Sequence, residues 1–264
     1  MKPSKSQKLL TRICLYLLFL SSFCIFYKSA AAQESQMKQE YPQIKIVINI
    51  PSLKLALYED EKLVKEYSIS VGQPKYPTPL GTFEIIRVEW NPWWYPPPSD
   101  WAKDAEVTPP GPTNPLGPVK MVLNTDLRIH GTNQDRSVGR PASHGCFRMH
   151  NAEARELAWY LQTRLSQKTD PALLEKYKRA RNSTFVVTLE KTVPVELIYQ
   201  PIKISDDIVE IYPDFYGKIK KLKDDLLEVL VQKGIDPAKV NQEKLSTLKK
   251  PKKSESYSLQ EFLL

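Results

Sequence analysis

In "IKIVINIPSLKLALYE" (residues 44–59), Ile44, Ile46, Ile48 and Ile50 share one face of an extended chain, and Leu53, Leu55 and Leu57 resume the pattern beyond Pro51. A period of two marks strands with one buried face. After the charged turn "EDEK" (59–62), "LVKEYSISV" (63–71) reads as a third strand, and the segment "GQPKYPTPLGT" (72–82) leads into "FEIIRV" (83–88). Further strands are expected at 121–123, 128–130, 184–190, 193–199 and 208–212. One helix interrupts them: Asn151 is placed to cap it, and Ala154, Leu157, Ala158, Leu161 and Leu165 recur at helical spacing. The pattern predicts a mostly β chain with one packed helix, a sandwich or a barrel.

The chain has 264 residues and 41% hydrophobic content, enough to bury a full core. Residues 1–32 carry Lys2, Lys5, Lys8 and Arg12, then an apolar run from Ile13 to Phe26, then Ala30 and Ala32, the layout of a secretory leader. The run is short of the roughly 20 residues that span a bilayer, although a leader left uncleaved would act as an anchor. Phe23 sits where a lipoprotein signal before Cys24 wants a small residue. Loss of the leader takes away Lys2, Lys5, Lys8, Arg12 and Lys28 and no acid, so the formal charge of +8 falls to +3. A nucleic-acid role loses its support with that charge. Cys14 and Cys24 also go, leaving Cys146 as a lone thiol, either inert and buried or reactive.

Two proline-rich segments, 91–104 and 108–118, read as ordered surface loops, either aromatic plugs or the walls of a groove, with Trp93, Trp94 and Trp101 in the first. From Tyr216 the chain reads as an amphipathic helix ending near Gly234. Its Ile219, Leu222, Leu226, Leu227 and Leu230 share a face expected to pack against the sandwich, and a second start falls at Asp236-Pro237. The end, "KKPKKSESYSLQEFLL" (249–264), reads as a flexible tail.

All three histidines and the lone thiol fall between His130 and His150. Strand alternation sends His144 and Cys146 to one face, and Gly145 lets another backbone or a ligand come close. A thiol attacks only as thiolate, so it needs a lowered pKa or an adjacent base, and imidazole suits that task near neutrality. Two other readings stand beside this one. Cys146 is a small core residue with surface histidines around it, or His130, His144, Cys146 and His150 ligate zinc at a spacing that fits no usual closed site.

The stretch "IHGTNQDRSVGRPASHGCFRMHN" (129–151) resembles the active-site signature of the YkuD-type L,D-transpeptidases, an upstream His followed by Ser/Thr-His-Gly-Cys, an apolar residue and Arg. "TPLGTFEI", "NPWWYPPPS", "NPLGPVKMVL" and "TVPVELIYQPIKI" extend the likeness over roughly residues 44–212, in the manner of Gram-negative periplasmic members. The resemblance implies a β-sandwich catalytic domain, no metal and no cofactor, and acyl transfer on peptidoglycan stem peptides. Cys146 would acylate at the third residue of a tetrapeptide donor and release D-alanine. An amine from a second stem, or from an outer-membrane lipoprotein, would then resolve the thioester. His130 would move the proton, with the Gly131 carbonyl orienting its ring. The N–H groups of Gly145 and Cys146, with His144, would hold the oxyanion. Arg148 would bind a diaminopimelate carboxylate, Tyr76 would lie under the donor groove, and Ser143 would fit the signature or shape the turn. His150 falls at the helix entry. The same motif serves hydrolases of this fold, in which water takes the place of the amine. The implied layout is a signal peptide (1–32), a linker (33–43), the catalytic domain (44–200), a C-terminal strand and helical extension (201–248) and the tail (249–264), in a periplasmic protein.

Overall fold

In the computed structural model, which describes residues 41–264, the row of isoleucines becomes strand β1 (Ile44–Asn49), with Ile44, Ile46 and Ile48 buried and the residues between them half-exposed. The expected leader and the linker up to residue 40 lie outside the described residues. Strands β2 (Lys54–Glu59) and β3 (Lys62–Ser68) pair antiparallel across Asp60 and Glu61, both at positive φ (48° and 63°), the backbone that a two-residue hairpin of the right twist demands. Leu53 also has positive φ (56°) and belongs to the turn before β2 rather than to the strand.

Strands β4 (Val71–Gly72), β5 (Gly81–Trp90), β6 (Val119–Leu123), β7 (Arg128–His130), β8 (Pro141–Ser143), β9 (Phe147–Arg148) and β10 (Phe185–Ile198) complete this part of the chain. Eight of the strands form one sheet in the order β3-β2-β1-β10-β5-β6-β7-β9, while β4 and β8 pair separately in parallel. Within the large sheet the β1–β10 and β7–β9 pairs are parallel. Ser70, just past edge strand β3, exchanges backbone hydrogen bonds with Arg148 of the opposite edge strand β9, at 2.8 and 3.2 Å. The two edges therefore meet. The mostly β architecture is present, and its two faces belong to one curled sheet.

Helix α1 (Asn151–Leu165) buries Ala154, Leu157, Ala158, Leu161 and Leu165 against β6 and β10. The indole of Trp90, 1% exposed, donates to Gln162 Oε1 at 2.8 Å, which satisfies two polar groups inside the core. A second helix, α2 (Pro171–Arg179), was not anticipated; Asp170 caps it by accepting from Ala172 N at 2.8 Å, and Pro171 opens it. Strand β10 is continuous where two strands were expected, because a bulge between Thr188 and Val193 carries the pairing with β5 across the polar stretch.

Beyond β10, β11 (Ile202–Ser205), β12 (Ile208–Ile211) and β13 (Glu255–Ser258) form a three-stranded antiparallel sheet. Helix α3 (Leu222–Gln232) packs on β11, and the short α4 (Gln242–Thr247) packs on α3. Ile204, Val209, Leu226, Leu230, Leu245 and Phe262 lie in their common core. The amphipathic face of the helix is thus covered by its own small sheet, not by the large one. Residues 249–264 are not a loose tail: β13 pairs with β12, Ser258 and Glu261 form a capping box, and Phe262 is fully buried. The lysines that made this stretch look soluble precede the strand, and its apolar content is concentrated in Tyr257, Leu259 and Phe262.

Candidate active site

Cys146 lies in the turn between β8 and β9. Gly145 before it has φ of 117°, a conformation that side-chain-bearing residues rarely adopt. The Ser143 hydroxyl braces the turn, donating to the Cys146 carbonyl at 2.5 Å and accepting from Gly145 N at 3.1 Å. Ser143 is buried and its hydroxyl is engaged within the turn, so a direct contact with substrate is not on offer. The Gly145 N–H is spent on Ser143 as well, which leaves Cys146 N–H and the His144 imidazole of the expected oxyanion set. Cys146 is partly exposed, with Sγ directed at the Asp126 carbonyl at 3.9 Å. Burial of the sulfur raises the thiol pKa, against the pull of the Arg128 backbone and of the Arg128 and Arg148 charges.

Strand β7 lies beside β9 in parallel, with Ile129 opposite Phe147 and His130 opposite Arg148. Alternation sends Ile129, Phe147 and Met149 into the core, each fully buried, and sets Arg128, His130 and Arg148 on the other face, from which the Arg128 and Arg148 charges act on both His130 and Cys146. His130 is 5% exposed, and its Nδ1 is 2.5 Å from the Gly131 carbonyl. A carbonyl can only accept, so the proton sits on Nδ1 and the Nε2 lone pair is free. Burial lowers the His130 pKa to about 4; the Gly131 carbonyl opposes that shift, and Arg148, Lys120 and Arg128 reinforce it. Near neutrality the resting pair is therefore imidazole and thiol, not imidazolium and thiolate.

Asn151 was expected to cap α1. The cap position belongs to His150, and Asn151 is the first helical residue. Its side chain instead reaches Thr132, accepting from Thr132 N at 2.8 Å and donating to Thr132 O at 2.9 Å. This clamp holds the stretch whose Gly131 carbonyl orients His130. A Cβ on Gly131 would strike Asn151 Oδ1 and Pro118, so the close approach requires glycine.

His144 is exposed, with its ring between two aromatics, stacked on Trp101 (3.9 Å, 5°) and tilted against Tyr76 (4.7 Å, 54°). Burial lowers its pKa, and Arg148 and Lys75 add to the effect. Trp101 comes from a 3-10 turn (Asp100–Ala102) in the first proline-rich segment. That segment is fixed by a Trp94–Thr108 bridge and by Asn114, whose side chain donates to Pro92 O, Thr108 O and Pro109 O at 2.9, 3.2 and 3.0 Å. The two loops are thus one ordered structure, and Trp101 forms a wall beside His144. Arg148 is half-buried and donates to Gln134 Oε1 at 3.3 Å. His150 is exposed and pairs with Asp135 at 3.4 Å, apart from the others. Among the described residues, no group of three or more His, Cys, Asp or Glu side chains is placed to hold a metal ion. Beyond the motif residues, the site also gathers Trp101, Thr132, Arg128 and Asp126. Of these only Trp101, an aromatic in a proline-rich loop, carried a signal.

A family model for the YkuD L,D-transpeptidase catalytic domain matches residues 43–188, more than half of the chain. A Bacillus licheniformis protein named L,D-transpeptidase YkuD is 34% identical over 115 residues, 43% of this chain and 58% of the relative. An Escherichia coli protein named L,D-transpeptidase ErfK/SrfK is 31% identical over 121 residues, 42% of this chain and 39% of the relative. The matches span less than two thirds of either relative. Among solved structures, an L,D-transpeptidase from Mycobacterium smegmatis aligns over 60% of this chain and 59% of that one at 17% identity and a TM-score of 0.37, a likeness too weak to add weight.

Proposed function

Because the chain belongs to the YkuD family of L,D-transpeptidase catalytic domains, we propose that it transfers acyl groups on peptidoglycan stem peptides through a thioester on Cys146. The observation that supports this reading is the parallel β7–β9 pair, which puts His130, its Nδ1 committed to Gly131, opposite Arg148, two residues after the thiol.

In the first step the sulfur forms a bond to the carbonyl carbon of the third stem residue while His130 Nε2 takes the thiol proton. The oxyanion is held by Cys146 N–H and His144, each such donor worth roughly 3–4 kcal/mol. The carbon–nitrogen bond then breaks, and the imidazolium passes its proton to the departing D-alanine amine. An imidazole as weakly basic as His130, with a pKa of about 4, makes a strong acid once protonated, which suits it to expel an amine. In the second step the acceptor amine attacks the thioester, His130 removes its proton, and the sulfur leaves and recovers a proton. Arg148, beside Cys146, binds a carboxylate of the donor, as a guanidinium does well. Tyr76 and Trp101 hold His144 at the edge of the groove.

The amine of a second stem or of an outer-membrane lipoprotein serves as acceptor, and water in its place yields a hydrolase. The chemistry belongs in the periplasm, where the substrate is. No helix among the described residues is long and apolar enough to cross a membrane. Tetrapeptide muropeptides incubated with the protein should release D-alanine and yield crosslinked dimers, with a transient mass adduct on Cys146. Tripeptides without dimers would identify the hydrolase, and no adduct with no D-alanine would refute the reading.

A further inference from the structure

The loop between β4 and β5 runs under the catalytic turn. It brings Tyr76 to His144, and Gln73 N donates to the Ser143 carbonyl at 3.0 Å. The ends of this loop are tied by one hydroxyl from far along the chain: Tyr216 Oη donates to Gly72 O at 2.7 Å and accepts from Thr78 N at 3.1 Å. The Thr78 hydroxyl, buried, accepts from Gly72 N and donates to the Gly145 carbonyl, both at 2.9 Å. Tyr216 and Thr78 are thus successive links to the residue before the nucleophile.

Tyr216 is itself anchored in the C-terminal part of the molecule. Its N–H donates to Tyr199 Oη at 2.9 Å, the two rings stack at 5.4 Å, and Tyr199 Oη donates to Asp214 Oδ1 at 2.7 Å. The Asp214 side chain, 4% exposed, accepts from Lys218 N and Ile219 N at 2.8 Å each and faces Lys250 at 3.5 Å. Burial works to raise the Asp214 pKa, but Tyr199 and these two N–H groups outweigh it, so the carboxyl titrates below its usual range. Ile219 belongs to the core shared by α3 and the small sheet. A continuous set of hydrogen bonds therefore runs from that core to Gly145. It begins beyond residue 188, where the family match ends.

We propose that Tyr216 is a positioning residue of the active site: it clamps the Gly72–Thr78 loop, and through Thr78 it fixes the carbonyl of Gly145 and hence the geometry of the Cys146 thiol. The loop holds Pro74 and Pro77 and one internal turn, Tyr76 N donating to Gln73 O at 2.8 Å, and its closure rests on the bonds made at Gly72 and Thr78. Gly145, with no Cβ, tolerates a wide range of backbone angles, and the Thr78 bond helps hold it at φ of 117°. The proposal rests on the assignment of Cys146 as nucleophile.

The test is Tyr216→Phe in the full chain, which keeps the stacked ring, deletes the two bonds from Tyr216 Oη and leaves only the Gly72 N–Thr78 Oγ1 bond across the loop ends. Alkylation of Cys146 by iodoacetamide is followed from about pH 6 to 10 and located by peptide mass mapping, so that Cys14 and Cys24 do not contribute. D-Alanine release and the melting temperature are read alongside. Expected are a shifted pH profile of alkylation, a rate change of about threefold or more at fixed pH, and kcat about tenfold lower with KM within about twofold. Thr78→Val should act in the same direction, and the double variant should be little worse than Thr78→Val alone, since both lie on one path. Tyr257→Phe, whose hydroxyl bonds Glu255 at the surface of the same small sheet, should leave the alkylation profile at wild type. A wild-type alkylation profile in both Tyr216→Phe and Thr78→Val would overturn the proposal, as would an equal change in Tyr257→Phe. If the wild-type protein releases no D-alanine, the functional assignment fails, and the alkylation arm still decides the role of Tyr216.

Discussion

An imidazole buried with its Nδ1 proton bound to a carbonyl stays neutral down to about pH 4, and this governs both rate and stability. Acylation should be nearly flat from about pH 5 up to the thiol's own range and should fall as His130 protonates. His130→Gln should lower the acylation rate by about 10²–10⁴-fold, and what remains should climb with pH as thiolate forms unaided; rapid-quench acylation by the tetrapeptide donor, followed by intact mass, reads both. A plateau retained in His130→Gln would mean that another group takes the proton. The stability effect has a fixed sign. The unfolded histidine titrates near 6.5 and the folded one near 4, so as pH falls through that window the unfolded chain binds a proton that the folded chain declines. Up to about 3 kcal/mol of stability is lost there, and denaturant titrations at pH 7 and pH 4 should show His130→Gln losing less than wild type over the same interval. Cys146→Ala should give no adduct, and EDTA should leave the wild-type rate unchanged.

Among the elements, the proline-rich segment and the first turn of α1 lie nearest the chemistry. Trp101 is 39% exposed, so Trp101→Ala should cost little more stability than its stack on His144, about 0.5–1.5 kcal/mol. Loss of the wall it makes beside His144 should raise KM several-fold in steady-state kinetics. An unchanged KM would make the segment a cover for the core edge rather than a wall of the groove. Asn151→Ala removes both bonds to Thr132 and should cost about 1–3 kcal/mol, seen in thermal unfolding, together with a fall in kcat. These elements also mark where the sequence could be read and where it could not. The isoleucine row of β1 and the apolar stripe of α1 are local periodicities, and each was legible. Asn151 was misread because its partner lies at Thr132, and no local rule separates a capping Asn from one that bonds across the fold. The pairing of β7 with β9, which puts His130 opposite Arg148, is likewise a register that only the folded sheet defines; the His and Cys were legible through their motif and Thr78 opens "TPLGTFEI", but neither the Thr78 bond to Gly145 nor Tyr216 left a mark in the sequence.

On the scale of the whole molecule, the C-terminal 60 or so residues complete a second core and contact the first through Tyr216. Truncation after Leu248 deletes β13 and Phe262, and should lower the melting temperature by many degrees rather than leave it unchanged. Phe262→Ala alone should cost about 3–5 kcal/mol in denaturant unfolding. An unaffected midpoint in both would return residues 249–264 to the status of an appendage. The polar look of "KKPKKSESYS" hid this, because three spaced apolar side chains suffice to seal a small core whose other walls are supplied from residues 202–245. The parallel pairing of β1 with β10 bears on how the chain reaches this state. Ile46 lies beside Val195, so the first of the described strands to be made waits for β10, well over a hundred residues later, before its second edge is covered. Such non-local contacts place folding in the slow range, about milliseconds to seconds, and leave "IKIVINI" exposed meanwhile as a sticky edge. Refolding yield should therefore fall steeply with protein concentration, and a holding chaperone should restore it without touching the folded protein.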